Sequence, residues 1–432
     1  MKSKINDFLK KIIKYFILII NFAYAQDFQI NEGEYAEFAP QISADAVGNF
    51  IVVWTDYRNS YENGGTDSGA AIYGQLFLNN GIAVNENFRI SEDELDGSNR
   101  LPSVAMNSNG NFIVVWHRTN DKVWGDTDIY ARIFNRDGFP QSQSFKINDD
   151  TTNKAQFDAK VILQDDNSFV ITWADRRDNG LFSYAQLFDN FGIPIGKNYK
   201  VNKNNIEDIA KISQFRDGKF LFHWGEYIEV YNIDGTSYSD SIINIGINGI
   251  AFAKGKDSIL VLWTLPSTYE IFGCFFNLDG LPISASFKVN DDNIHNPVGV
   301  PGAAFFNDVF IIIWQDHRND LPGILGTGDI YAQRFNSAGE NIGDNFKINH
   351  ESEEFTQRDP AVIFKRDNFI TVWKETHPIC LPFGNFFLDR SYIMGTTQRF
   401  SYPIPGEIFG WITLKDSCED NTSEPQTFAN LS

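Results

Sequence analysis

Seven short apolar runs, each closed by tryptophan, set the rhythm of the chain. They are Phe50 to Trp54, Phe112 to Trp116, Phe169 to Trp173, Phe220 to Trp224, Ile259 to Trp263, Phe310 to Trp314 and Phe369 to Trp373. Runs this short, β-branched and almost unbroken by polar residues do not suit a helix, and each predicts a strand buried on both faces. They recur every roughly 40 to 60 residues, close to the period of a four-stranded propeller blade, so seven tryptophans predict seven blades.

The other three strands of each unit follow from weaker signals. Ahead of each tryptophan lies a strand often opened by proline (Pro40, Pro102, Pro301, Pro360), and a Gly, Asn or Asp turn (Gly48, Gly110, Asn167, Gly218) then leads into the Trp strand. This predicts an A-to-B hairpin. Strand C is predicted at IYGQLF from Ile72, IYARIF from Ile129, SYAQLF from Ser183, YIEVY from Tyr227, IFGCFF from Ile271, IYAQRF from Ile330, and a weak match at Thr397 to Phe400. Alternation puts Tyr and Gln on one face and Ala or Gly on the other, where a neighbouring sheet can approach. Tight hairpins follow at Asn80-Gly81, Asp137-Gly138, Asp234-Gly235 and Asp279-Gly280.

Strand D, a Phe-x-Val/Ile-Asn signal, appears after strand C of the first six units, with a degenerate copy at Ser241 to Asn244 and none after Phe400. The missing copy stands at the other end of the chain, Phe28-Gln29-Ile30-Asn31. Because an open sheet edge is a liability, residues 28–31 are predicted to complete the last blade and close the ring. The fold expected is an all-β, seven-bladed β-propeller.

The ends and the charge refine this picture. Lys2, Lys4, Lys10, Lys11 and Lys14, the apolar stretch Tyr15 to Phe22, and Ala23-Tyr24-Ala25 read as a secretory signal, too short to span a bilayer. The expected organisation is a signal peptide at 1–25, the propeller at 26–415 and a flexible polar tail at 416–432. The location expected is secreted, periplasmic or on the cell surface, with no transmembrane segment. A formal net charge of -20 argues against nucleic acid as a partner. Three cysteines make no disulfide framework, and pairing of Cys380 with Cys418 stays open.

With Trp-x-Asp-x-Arg, Asp-Ile-Tyr-Ala-Gln-Arg-Phe and Phe-Lys-Val/Ile-Asn in hand, the chain resembles a broad group of secreted bacterial β-propeller repeat proteins, many without an assigned function. The resemblance covers residues 28 to about 400 and implies a fold more than an activity. The turn Ser43 to Gly48 is not a sialidase Asp-box, its glycine falling one position late, and neither a WD40 dipeptide nor an integrin-type calcium loop is present.

Candidate chemistry gathers on loops. The B-to-C connections are longest in units six, seven, one and two, measured from each Trp to Gln333, Gln398, Gln75 and Arg132, and shortest before Glu229 in unit four. They predict a raised wall bordering a binding site. Trp-x-Asp-x-Arg occurs at Asp56/Arg58, Asp175/Arg177 and Asp316/Arg318, where an Arg fork could clamp a carboxylate or sulfate. Its repetition favours a structural pair instead, with Asp128 or Asp329 as further partners. Trp124, in a loop where no strand needs it, is a candidate sugar platform or partner contact. His117, His317 and His377 all follow strand B and could share one face. No cofactor is predicted. The acid clusters at Glu92-Asp93-Glu94, Asp149-Asp150 and Asp291-Asp292 lack the spacing of a dedicated calcium loop, leaving structural calcium as a minor option. No catalytic motif is present. The reading expected is a monomeric, non-enzymatic propeller binding a glycan, peptide or surface component through its long-loop face. The alternatives are a polysaccharide hydrolase or lyase, and a structural part of a surface assembly.

Overall fold

The computed structural model describes residues 27–32, 37–58, 69–92, 97–120, 125–202, 208–214, 219–232, 236–238, 243–244, 251–265, 268–277, 281–291, 301–319, 328–350, 355–365, 368–379 and 388–399. They form seven four-stranded antiparallel sheets, a seven-bladed β-propeller. The leader, the tail, Trp124, His295, Cys380 and Cys418 lie outside the described residues. Among the described residues no helix is long and apolar enough to cross a membrane.

Strand β1 (Phe28–Gln29) belongs to the last blade. Blade one is β2 (Glu37–Ala44), β3 (Phe50–Asp56), β4 (Ala71–Phe77) and β5 (Ala83–Arg89). Blade two is β6 (Ser98–Met106), β7 (Phe112–Thr119), β8 (Thr127–Phe134) and β9 (Phe145–Lys146). Blade three is β10 (Gln156–Leu163), β11 (Phe169–Asp175), β12 (Phe182–Phe188) and β13 (Pro194–Lys200). Blade four is β14 (Lys211–Gln214), β15 (Phe220–Trp224), β16 (Tyr227–Tyr231) and β17 (Ile243–Asn244). Blade five is β18 (Ala251–Lys254), β19 (Ser258–Thr264), β20 (Ile271–Asn277) and β21 (Phe287–Lys288). Blade six is β22 (Gly302–Phe306), β23 (Val309–Asp316), β24 (Asp329–Asn336) and β25 (Phe346–Lys347). Blade seven takes β26 (Thr356–Lys365), β27 (Asn368–Ile379) and β28 (Leu388–Arg399), with β1 at its outer edge.

The apolar runs explain why these sheets associate. Alternate residues of each Trp strand face opposite neighbours, so every seam is filled from both sides. Ile51 and Val53 of blade one meet Phe112, Val114 and Trp116 of blade two, and Ile113 and Val115 meet Phe169, Ile171 and Trp173 of blade three. Seven such clusters occur, the last joining Ile370 and Val372 of blade seven to Phe50, Val52 and Trp54 of blade one. The first strands of neighbouring blades contact one another around the whole ring, β26 to β2 included, and so line the central axis.

Ring closure follows the same rules as every other blade. In the Phe-x-Ile-Asn signal, Ile30 donates its N–H to the Ile393 carbonyl at 2.7 Å, as Ile147 does to Ile129 at 2.8 Å. Asn31 Oδ1 accepts the N–H of Ile393 at 2.7 Å, matching Asn148 with Ile129 and Asn349 with Ile330. Phe28 pairs with Gly395, where an added Cβ would sit 2.9 Å from Ile30 Cδ1. The small residue of strand C therefore admits the Phe and Ile of its own blade's outer strand, rather than the neighbouring sheet expected from the sequence.

Two local expectations are corrected. Strand C of blade seven is in register two residues earlier than the weak match proposed, since Trp373 lies opposite Met394 as Trp54 lies opposite Tyr73. Thr396, and not Gln398, is thus the Gln75 equivalent. The prolines Pro40, Pro102 and Pro360 do not open their strands but sit at β-bulges inside them, where the ladder is interrupted and a missing N–H costs nothing. The preceding residues Ala39, Leu101 and Asp359 have φ of 55°, 50° and 53°.

Candidate functional site

The Trp-x-Asp-x-Arg segments end strand B on the face that carries the B-to-C and D-to-A connections. In blade one the Trp54 indole donates to Asp56 Oδ2 at 2.9 Å, and Arg58 grips the same carboxylate through Nε and Nη2 at 3.0 and 2.7 Å. The guanidinium lies 4.2 Å above the Tyr73 ring. Blades three and six repeat this: Trp173 and Trp314 donate to Asp175 and Asp316 at 2.8 Å, with Arg177 and Arg318 over Tyr184 and Tyr331 at 4.3 and 4.1 Å. All three carboxylates are buried, and buried charges persist only when paired and hydrogen-bonded.

These clamps also tie blades together, through partners that the sequence reading missed. Arg177 reaches Asp149 of blade two at 2.8 Å and Asn198 at 3.2 Å; Arg318 reaches Asp291 of blade five at 2.7 Å and Asn345 at 3.3 Å. Burial alone would lower both guanidinium groups, but the bonds to paired aspartates hold them above their ordinary value. Asp128 and Asp329 bind Lys146 and Lys347 instead, each at 2.7 Å. At the seam between blades six and seven the joint changes chemistry: His350 donates its backbone N–H to Asp27 Oδ2 at 2.6 Å, and its ring Nδ1 lies 3.0 Å from Oδ1.

Blade two departs from this scheme. Arg118 stands where the clamp aspartate would be and Asn120 where its arginine would be, and Asn120 turns away to Asp126 at 2.9 Å. Trp116 donates to Asn99 at 2.8 Å, and Arg118 covers the Tyr130 ring only loosely, at 5.7 Å. What remains is a shallow recess of about 10 Å³, the space of a single water, lined by Glu92, Asn99, Trp116, Arg118, Tyr130 and Ser144.

Toward the axis, the first strands carry a second polar group. Phe38 stacks on Tyr57 at 5.7 Å, and Arg100 lies 5.6 Å from the same Tyr57 ring. Arg100 is paired in register with His117, whose imidazole is pushed down to about 4 by burial, by Arg100 and by Lys160, with Asp158 opposing. Lys160 bonds Asp158 at 2.7 Å, while burial lowers the Lys211 ammonium of the next blade against the pull of Asp208 and Asp158. His223, opposite Lys211, is pushed down to about 4 by burial and then by Lys211. Sequence could not reveal this cluster, because each blade supplies only one or two of its members.

Of the three histidines expected to share one face, His377 has its side chain outside the described residues. His117 is buried between blades two and three, whereas His317 of blade six contacts Gln315 at 3.1 Å. The backbone of His377 pairs with Arg390 in blade seven. Among the described residues no group of three His, Cys, Asp or Glu side chains could hold a metal ion.

No family model matches the chain, and no curated protein is similar to it in sequence. Among solved structures, a protein of unknown function from Dyadobacter fermentans is similar at 10% identity and a TM-score of 0.48, covering 86% of this chain and 97% of the other. A Hadza microbial sialidase is similar at 10% identity and a TM-score of 0.49, covering 84% of this chain and 66% of the sialidase. An α-L-arabinofuranosidase from Fusarium graminearum is similar at 9% identity and a TM-score of 0.47, covering 87% of this chain and 98% of the other.

Proposed function

We propose that this chain is an exported binding propeller, without catalytic activity, that holds a glycan on the face carrying its B-to-C and D-to-A connections. The observation that carries the reading is the axial cluster of blades one to four. There Phe38, Tyr57 and Arg100 set stacked aromatic and cationic surface beside Asp158 and Lys160, all but Tyr57 on strands. Aromatic faces bordered by charged hydrogen-bonding groups suit a sugar ring, which presents C–H on its faces and hydroxyls at its edge. The repeated clamps at Asp56/Arg58, Asp175/Arg177 and Asp316/Arg318 are saturated by their own partners and serve as framework. Trp124, which the sequence puts between β7 and β8, stays a candidate platform in this reading, outside the described residues.

The test is a glycan and polysaccharide screen of the purified chain, scoring retention and product release together. Retention without product is the expected result. Release of shortened saccharide would replace the binding reading with that of a polysaccharide hydrolase or lyase. An Arg100→Ala variant that retains glycan as tightly as the unaltered chain would remove the axial cluster from the account.

A further inference from the structure

We infer that the axial cluster selects an acidic glycan, whose carboxylate or sulfate is received between Lys160 and Lys211 with Arg100 beside them. This deepens the glycan reading and rests on it. The strand registers place one residue of each inner strand at the same level of the axis, opposite the residue that precedes the strand-B tryptophan. From blade one round to blade seven this level holds Gln41 and Ser103, then Lys160 and Lys211 on adjacent blades, then the small residues Ala251, Gly302 and Ala361. It therefore carries a pair of cations and no acid. Arg100 borders them, because Arg100, Asp158 and Lys160 all act on the His117 imidazole.

The neighbouring acids do not take up this charge. Asp158 is bonded to Lys160 at 2.7 Å, and Asp208 accepts the backbone N–H groups of Ile209, at 2.7 Å, and Gly225. Among the described residues Lys211 is half-buried and makes no ion pair, and its Nζ is not sealed from solvent. Burial holds its ammonium below the ordinary value, and Lys160 pushes the same way, against the pull of Asp208 and Asp158. A half-buried cation without a partner is costly; an anion arriving beside it removes that cost, whereas a neutral hydroxyl does not. The surrounding field sharpens the choice. In a chain of formal net charge -20, a cationic spot at the axis draws an anion there and nowhere else on an acidic surface. Arg100 also lies 5.6 Å from the Tyr57 ring, which stacks on Phe38, so a sugar lying on those rings would turn its acidic substituent toward Arg100 and Lys160.

The experiment removes the charge from either side. Affinity electrophoresis compares polygalacturonate, alginate and chondroitin sulfate with carboxyl-reduced or desulfated forms of the same backbones, beside neutral polysaccharides. The expected result is retention of at least one acidic polymer by the unaltered chain, weaker by about tenfold or more for its neutralised form and weakened further by salt. Loss on carboxyl reduction identifies the anion as a carboxylate, and loss on desulfation identifies it as a sulfate. Lys211→Met, which keeps the apolar stem and deletes the charge, should weaken retention of the acidic polymer by about tenfold while melting no lower. If that variant fails to fold, Lys160→Met should weaken the same retention, its side chain being partly exposed. Equal retention of acidic and neutralised forms, retention of neutral polysaccharides alone, or acidic retention unchanged in a folded lysine variant overturns the inference and leaves the glycan reading standing. Retention of no polysaccharide by the unaltered chain overturns the glycan reading itself.

Discussion

Blades two and three are adjacent copies of one unit, and they use the end of strand B in opposite ways. In blade three, Trp173, Asp175 and Arg177 close on one another and on Asp149 and Asn198 across the seam. In blade two, Trp116 donates to the neutral Asn99, and Asn120 donates to Asp126. The network of blades one, three and six is absent from blades two, four, five and seven, where Arg118, Glu226, Leu265 and Glu375 stand at the aspartate's place.

The contrast predicts unequal costs when each tryptophan loses its acceptor. Asp175→Ala leaves the buried Trp173 indole without its acceptor and Arg177 with Asp149 as its remaining acidic partner, and should cost about 3 kcal/mol in denaturant unfolding. Asn99→Ala removes one neutral hydrogen bond and should cost about 1 kcal/mol. Equal losses would mean that the clamp is no more structural than its replacement.

A second contrast is in pH. Position 117 of blade two is a buried histidine held neutral with its pKa near 4, where blade three has Ala174. The folded pKa lies below the ordinary 6.5, so the unfolded chain takes up the proton first. Stability is then full above about pH 6.5 and falls as pH drops toward 4, by up to roughly 3 kcal/mol for this group. His223 adds a loss of the same sign. Melting followed across this window should flatten in part for His117→Ala, and a profile identical to that of the unaltered chain would remove His117 as a cause. The smallest effect belongs to the exposed Lys160–Asp158 pair, where Lys160→Ala should change stability by less than about 1 kcal/mol. Its effect on glycan retention should be larger than that on melting.

Much of the fold was legible because the signals are local and repeated. A five-residue apolar run ending in Trp, and a Phe-x-Ile-Asn whose asparagine caps the start of strand C, can be read from one copy and checked against the others. Even closure by residues 28–31 followed from a missing copy. The misplaced strand C of blade seven shows the limit. There Met394 and Thr396 replace the Tyr and Gln that mark the register elsewhere, and a stray Gln398 drew the reading two residues on. The site was less legible. Asp149 and Asp291 lie 28 and 27 positions before Arg177 and Arg318, and only the closed ring makes them partners. The axial group of Arg100, Lys160 and Lys211 takes one cation from each of three blades, so no linear motif announces it.

The central claim, that a glycan is held on the loop-bearing face at the axial cluster of blades one to four, is tested most directly by hydrogen exchange with and without a retained glycan. The account predicts slowed exchange at the ends of β2, β6 and β10 on that face, around Phe38, Arg100 and Lys160. Slowing confined to the opposite turns, where Ile82, Phe139 and Phe191 are exposed, would contradict it.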